Sequence, residues 1–487
     1  MEGKMIKLFF LLSSYLFSLG PFVSGSFYPD KKEEIELFIK ERINTAQTYV
    51  KNIKKDDVKA VIVPHAGYIY SGNIALISYL SIAKNTERFI ILSPSHRIAI
   101  DGAATVKEDF ETPLGKTEVD REFIDIILKD KIFEEKRDAF INEHSIEVQL
   151  PFIKYFFKNA RIVPILLNTE DLSKLTKIAG VIKSALKKDN KKSIIIISSD
   201  FSHYPASNDS IKSDLTMVKA IETLDENYIN LTSKVLLTKK VESLETTACG
   251  ISAIITGVNL AKLMGANSFN LIKNSNSYLE TKNEQLKDRV VGYVSGAFIE
   301  QSTRKENELT KKDKKILLEN ARKSIINYAS GKKEIIFQGL YDNPYFNLPK
   351  AVFVTLKKKG NLRGCMGTTQ PITGLYDAVK YFAVIAANED PRFSPVKIEE
   401  MKDIKIEISI LSSLKKINGY KDIKKEDGVV LIAKKGSGLF LPQVWEELNN
   451  KEDFLSELCY QKAGDNRDCW KDPDTQFFIF SVEKFEE

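Results

Sequence analysis

The chain has 487 residues, more than a single hydrophobic core usually organises, so two or three domains are expected. With 43% hydrophobic and 28% charged residues it falls in the ordinary globular range, which excludes a disordered or fibrous chain. The net charge of +6 is carried by lysines scattered among acidic residues, and without a basic stripe nucleic acid is excluded as a partner.

Lys4 and Lys7 precede an apolar run from Leu8 to Leu19 that has the form of a signal-peptide core and is short for a membrane span. No clean small-x-small cleavage site follows, because Pro21 stands just after Ser18 and Gly20. Residues 1–20 are read as an export signal or a membrane anchor, and the alternative is a buried N-terminal segment of a cytoplasmic protein. From Lys31 to Lys54 apolar and charged residues alternate at helical spacing and feed the strand-like run Ala60 to Val63. Similar runs recur at Phe89 to Leu92, Ile162 to Leu167 and Ile194 to Ile197, separated by amphipathic stretches at Arg121 to Lys129 and Leu172 to Leu186. Continuous Ile/Val runs bounded by turn residues suit central strands covered on both faces, so residues 21–300 read as an α/β domain.

Gln301 to Lys315 is nearly devoid of apolar side chains and marks a domain boundary after the small, apolar run Val290 to Ile299. In residues 316–487, helical patterns at Ile316 to Tyr328 and Gly374 to Asn388 alternate with strand-like runs. Those runs are Ala351 to Leu356, Ile404 to Leu411, Val429 to Ala433 and Phe477 to Val482, which suits an α+β domain.

All four histidines lie in the first half, in VIVPHAGYIYSG around His65, IILSPSHR around His96, NEHSIEVQLPF around His144 and IIIISSDFSHY around Asp200 and His203. A fifth segment, ETTACGISA, supplies Cys249. Ligands collect where the strands of an α/β sheet end, so these side chains can converge there. Imidazole and thiolate suit zinc, iron or copper, whereas magnesium or calcium would favour carboxylates. Any one of these residues alone is more often a satisfied core or surface group, and spacing does not separate ligands from acid/base partners.

The same segments, from Val23-Ser24-Gly25-Ser26-Phe27-Tyr28-Pro29 to Val291-Gly292-Tyr293, resemble the Memo family, also called AmmeMemoRadiSam system protein B. That resemblance implies a fold similar to class III extradiol ring-cleaving dioxygenases and a metal held by His65, His96 and Cys249. It places His144, Asp200 and His203 in the same pocket, as candidate catalytic groups for proton transfer and for hydrogen bonding to the bound molecule. Cysteine stands where those dioxygenases use a carboxylate, which favours copper or a redox-labile iron, with zinc as a further option. Asn276 and Ser277 stand where the family commonly has glycine and an acidic residue.

In the second half, LRGCMGT places Cys365 between two glycines, beside Arg363. The glycines suit either a backbone that approaches a ligand closely or a tight turn that needs small residues. With ANEDPRFSPV, GSGLFLPQVW and LCYQKAGDNRDCW, this segment resembles the AMMECR family, AmmeMemoRadiSam system protein A. The resemblance implies a compact α+β domain with Cys365 in a cleft near Arg363, Asp390 and Arg392. No histidine stands in this half, which disfavours a Cys/His hydrolase and leaves redox, acyl-carrying or substrate-binding roles for Cys365. Cys459 and Cys469 fit the family pattern as buried small residues, and export would make a disulfide between them conceivable.

Two readings of function follow. One is an iron- or copper-dependent oxidative enzyme acting on a small molecule or a modified residue; the other is a non-catalytic metal-binding or peptide-recognition adaptor. The name of the system implies a radical SAM partner protein, and the tether between the two domains argues that both serve one pathway.

Overall fold

The computed structural model describes residues 18–301, 309–332, 337 and 339–487. The signal-like stretch before Ser18 and residues 302–308 of the charged boundary lie outside the described residues. The chain forms two compact units, one built from the residues before the charged stretch together with 339–344, the other from the remaining residues.

The first unit is α/β. Its strands are β1 (Ser18–Leu19), β2 (Val58–Val63), β3 (Arg88–Pro94), β4 (Ala103–Thr105), β5 (Asp109–Phe110), β6 (Phe133–Glu135), β7 (Arg161–Leu167), β8 (Ser193–Ser198), β9 (Ser268–Asn276) and β10 (Gly292–Ile299). Eight of them make one sheet in the order β6-β4-β7-β3-β8-β2-β10-β9, while β1 and β5 form a separate parallel pair. The four central strands β7, β3, β8 and β2 are parallel, and they are flanked by antiparallel pairings of β4 with β7 and of β10 with β2. The Ile/Val runs of the sequence are these central strands, and every residue of β3 is buried.

Helices α1 (Lys32–Tyr49), α2 (Tyr68–Leu80), α3 (Leu172–Leu186), α4 (Ser207–Ile221), α5 (Glu226–Thr238) and α6 (Ile251–Leu263) accompany the sheet. Helix α3 shows why such a segment folds locally. Leu175, Ile178, Ala179, Ile182 and Ala185 fall on one buried stripe, and the Asp171 carboxylate accepts from the backbone N–H groups of Ser173 and Lys174 at its start. Helix α6 is apolar nearly all round and correspondingly buried from Ser252 to Ala261. Among the described residues, no helix is long and apolar enough to cross a membrane.

The second unit is α+β. It contains α7 (Lys311–Ala329), α8 (Leu375–Asn388) and strands β11 (Ala351–Lys358), β12 (Asn361–Gly367), β13 (Ile404–Leu411), β14 (Lys415–Ile417), β15 (Gly428–Ile432), β16 (Ser437–Phe440), β17 (Gln476–Phe480) and β18 (Val482–Glu486). Helix α7 starts within the polar stretch, where Thr310 and Asp313 form a reciprocal capping box. Two antiparallel sheets follow, in the orders β12-β11-β13-β18 and β14-β17-β15-β16. The single run Phe477 to Val482 is therefore two strands in different sheets. The chain crosses between them at Ser481, whose N–H and carbonyl bond to Ser412.

Two other expectations change. Cys459 and Cys469 are buried, as expected, but they are bonded to each other, with Cα atoms 5.9 Å apart. A π-helical turn over Leu458–Lys462 and a short turn over Cys469–Lys471 bring the sulfurs together. Cys365 lies on β12 and not in a turn; its glycine neighbours answer to packing. A Cβ on Gly364 would meet the Ala386 carbonyl oxygen at 2.2 Å, and one on Gly367 would meet the Phe353 ring at 2.4 Å.

Candidate metal centre

The parallel strands end along one edge of the sheet, and the candidate residues gather there. His65, His96 and Asp200 each stand two residues beyond the ends of β2, β3 and β8. Cys249 immediately precedes Gly250 at the start of α6, where a Cβ would come 2.8 Å from Ser199 Cβ and 2.9 Å from the Ser198 carbonyl oxygen. Glycine is thus required for this loop to close onto the end of β8. His144 opens a single helical turn, His144–Glu147, whose start is capped by the Glu143 carboxylate.

His65 Nε2 lies 3.1 Å from Cys249 Sγ. The His65 ring meets His96 edge to face with centroids 5.2 Å apart, and His144 stacks on His96 at 4.6 Å. One donor atom from each of His65, His96 and Cys249 lies within 4.8 Å of the others. A metal with bonds of about 2.0–2.3 Å spans donors roughly 3.5 Å apart, so small movements close the set.

His96, Glu143 and His144 form a second grouping of the same size, but Glu143 is already committed. Its carboxylate accepts from the His96 N–H at 2.7 Å, from His96 Nδ1 at 3.0 Å and from the Ser145 N–H at 3.0 Å. Burial alone would raise this carboxyl; its interactions with His96 and the backbone donors hold it down to about 2. An ionised Glu143 makes His96 Nδ1 the donor and leaves the Nε2 lone pair for a metal. Glu143 therefore fixes the orientation of the His96 ring, and the sequence reading missed it although it adjoins His144 in NEHSIE.

The remaining pocket groups have shifted protonation. Burial lifts the Asp200 carboxyl to about 7, against N–H donation to its Oδ1 from His65 at 2.8 Å and Ala66 at 3.3 Å. Burial, and then the electrostatic influence of the neighbouring His96, lower His144 and His203 to about 4, so both are uncharged at neutral pH. His203 Nε2 is buried with no hydrogen-bond partner among the described residues, which leaves a polar atom for a bound molecule. Burial and the neighbouring Asp200 carboxyl push the Cys249 thiol up, so the metal-free chain keeps this thiol protonated beside His65.

A strap from Phe22 to Tyr28 walls the His144 side. Glu147 accepts from the N–H groups of Phe22 and Val23 at 2.8 and 2.9 Å and from the Tyr28 hydroxyl at 2.8 Å, and the Phe27 ring lies 4.6 Å from the His144 ring. Asn276 caps the turn Ser277–Thr281 by accepting from the Leu279 N–H and donates to Ser207 Oγ at 3.0 Å.

In the second unit, Cys365 is a free, half-buried thiol that accepts from Thr355 Oγ1 at 3.3 Å. Its N–H donates to Asp390 Oδ2 at 2.8 Å, and Arg392 donates to both Asp390 oxygens and to the Cys365 carbonyl at 3.2 Å. Hydrogen bonds from Arg392 hold the Asp390 carboxyl well below its usual range. Arg363 is engaged by Glu400 at 3.0 Å. The structure thus brings Cys365, Asp390 and Arg392 together, while Arg363 faces an acidic partner of its own.

A family model described as Memo-like protein matches residues 20–297, and one described as AMMECR1 matches residues 318–485. Similar relatives include MEMO1 family proteins of Methanobrevibacter smithii, 34% identical over 293 residues, and of Saccharolobus solfataricus, 35% identical over 292 residues. Each match covers 57% of this chain and 98% of the relative. Among solved structures, an uncharacterized protein from Pyrococcus horikoshii is 38% identical, with a TM-score of 0.32, over 35% of this chain and 90% of its own.

Proposed function

Because this chain belongs to the Memo-like protein family and carries an AMMECR1 domain in the same polypeptide, we propose that its first unit holds a transition metal through His65, His96 and Cys249. Two imidazoles and one thiolate suit iron or copper, with zinc as the redox-silent option. Bound there, such a metal supplies a Lewis-acidic or redox-active centre with open coordination positions. Closed structural sites use four protein ligands, and here three converge.

The chain's own residues supply the proton handling that an oxidative step on a small molecule or modified residue needs. Asp200, with a carboxyl near 7, exchanges a proton at neutral pH. His144 and His203 are uncharged and able to accept one, and His203 Nε2 is free to hold the bound molecule. Cys249 gives up its proton when it becomes a ligand, so metal uptake releases acid. The convergence of the three donors beside these groups is the observation that carries this reading.

The test is metal content by mass spectrometry on protein purified without oxygen, comparing wild type with a His65→Ala, His96→Ala, Cys249→Ala triple variant. Near-stoichiometric iron or copper lost in the variant is expected, followed by oxygen uptake with catechol-like substrates. Metal binding without turnover would instead favour the adaptor reading, and failure to take up iron, copper or zinc would overturn the site.

A further inference from the structure

A chain of buried hydrogen bonds reaches His65 from the Nδ1 side of its ring, and its direction is set by two backbone carbonyls. The Pro64 carbonyl can only accept. It therefore faces the amide nitrogen of Gln149, which donates to it at 3.1 Å. The same nitrogen donates its second proton to Ser198 Oγ at 3.1 Å, and Gln149 Oε1 is left to accept from the Tyr79 hydroxyl at 3.0 Å. The Ser145 carbonyl likewise can only accept, and it takes the one proton of Ser198 Oγ at 2.7 Å. Ser198 Oγ, having spent its proton and one lone pair, meets His65 Nδ1 at 3.0 Å as an acceptor. Tyr79, Ser145, Gln149, Ser198 and His65 are each at most 1% exposed, so water does not offer another arrangement.

We propose that the relay Tyr79–Gln149–Ser198 locks His65 as the Nδ1–H tautomer, which makes Ser198 and Gln149 positioning residues of the metal centre. The lock aims the Nε2 lone pair at Cys249 Sγ and at the metal assigned above. Its consequence for affinity rests on that metal reading, whereas the tautomer is a property of the metal-free chain. His96 reaches the same state through Glu143, so the two imidazoles are oriented by unlike devices, a neutral hydroxyl relay and a carboxylate.

The experiment is long-range proton–nitrogen NMR on metal-free protein labelled with nitrogen-15 histidine, with the His65 signals assigned by their loss in His65→Asn. Wild type should show a protonated Nδ1 and an unprotonated Nε2. Ser198→Ala should mix the tautomers and weaken iron or copper binding by about 10–100-fold, and Ser198→Thr, which keeps the hydroxyl, should restore both. A wild-type His65 protonated at Nε2 overturns the proposal, and that spectrum decides the matter even where a variant does not fold. A Ser198→Ala protein with unchanged tautomer and unchanged metal affinity overturns it as well. A wild type that shows the Nδ1–H tautomer but takes up no metal leaves the lock standing and overturns the metal reading instead.

Discussion

The two units each carry a free, half-buried cysteine, and the contrast between their surroundings separates a site from a strut. Around Cys249, imidazoles arrive from separate strand ends: Nε2 of His65 meets the thiol itself, a ring nitrogen of His96 lies within reach of both, and Nε2 of His203 has no partner among the described residues. Around Cys365, the neighbouring charges satisfy one another, Asp390 with Arg392 and Glu400 with Arg363. A thiol among saturated partners has little left to offer a metal, whereas one facing open imidazoles does.

The largest effect expected from a charged residue that does not itself bind the metal falls on Glu143. Glu143→Gln removes the carboxylate that fixes His96 and should weaken metal binding by about 10–100-fold in a competition titration, while Asp390→Asn should not change it. Next comes the disulfide. Replacing Cys459 and Cys469 together by serine opens a short loop, with a sequence separation of 10, and should cost the second unit about 3 kcal/mol in denaturant unfolding with metal content intact.

Two carboxyls, Asp214 in the first unit and Asp390 in the second, should then respond to pH with opposite sign. Burial raises the Asp214 carboxyl from 3.8 to about 7, so the folded first unit holds a proton that the unfolded chain releases. That contribution is complete below pH 3.8 and is lost as the pH rises through about 7, so the thermal stability that metal-free wild type holds over Asp214→Asn should shrink across this window. Asp390 is shifted downward by Arg392; its contribution is present above pH 3.8 and is lost in acid, and Asp390→Asn should remove that acid sensitivity. The smallest effect belongs to Cys365→Ser, which should leave metal stoichiometry unchanged; a loss of metal there would erase the contrast between the two thiols.

The central strands were legible because four Ile/Val runs leave little choice of environment, and α3 because its apolar spacing closes one stripe. That His65, His96 and Cys249 would come together was legible from the motifs that carry the family resemblance, not from spacing. What the sequence hid was pairing at long range. Glu143 acts on a histidine 47 residues earlier, and Gln149 and Ser198 meet only once β8 lies beside β2. Ser481, where one apolar run divides between two sheets, and the bond between Cys459 and Cys469 are also outcomes of packing that local pattern does not encode.

The most direct test of the central claim is X-ray absorption on the iron- or copper-loaded protein. A shell of two nitrogens near 2.0 Å and one sulfur near 2.3 Å is expected, with the sulfur lost in Cys249→Ser. A metal bound by nitrogen and oxygen alone in the wild type would contradict it.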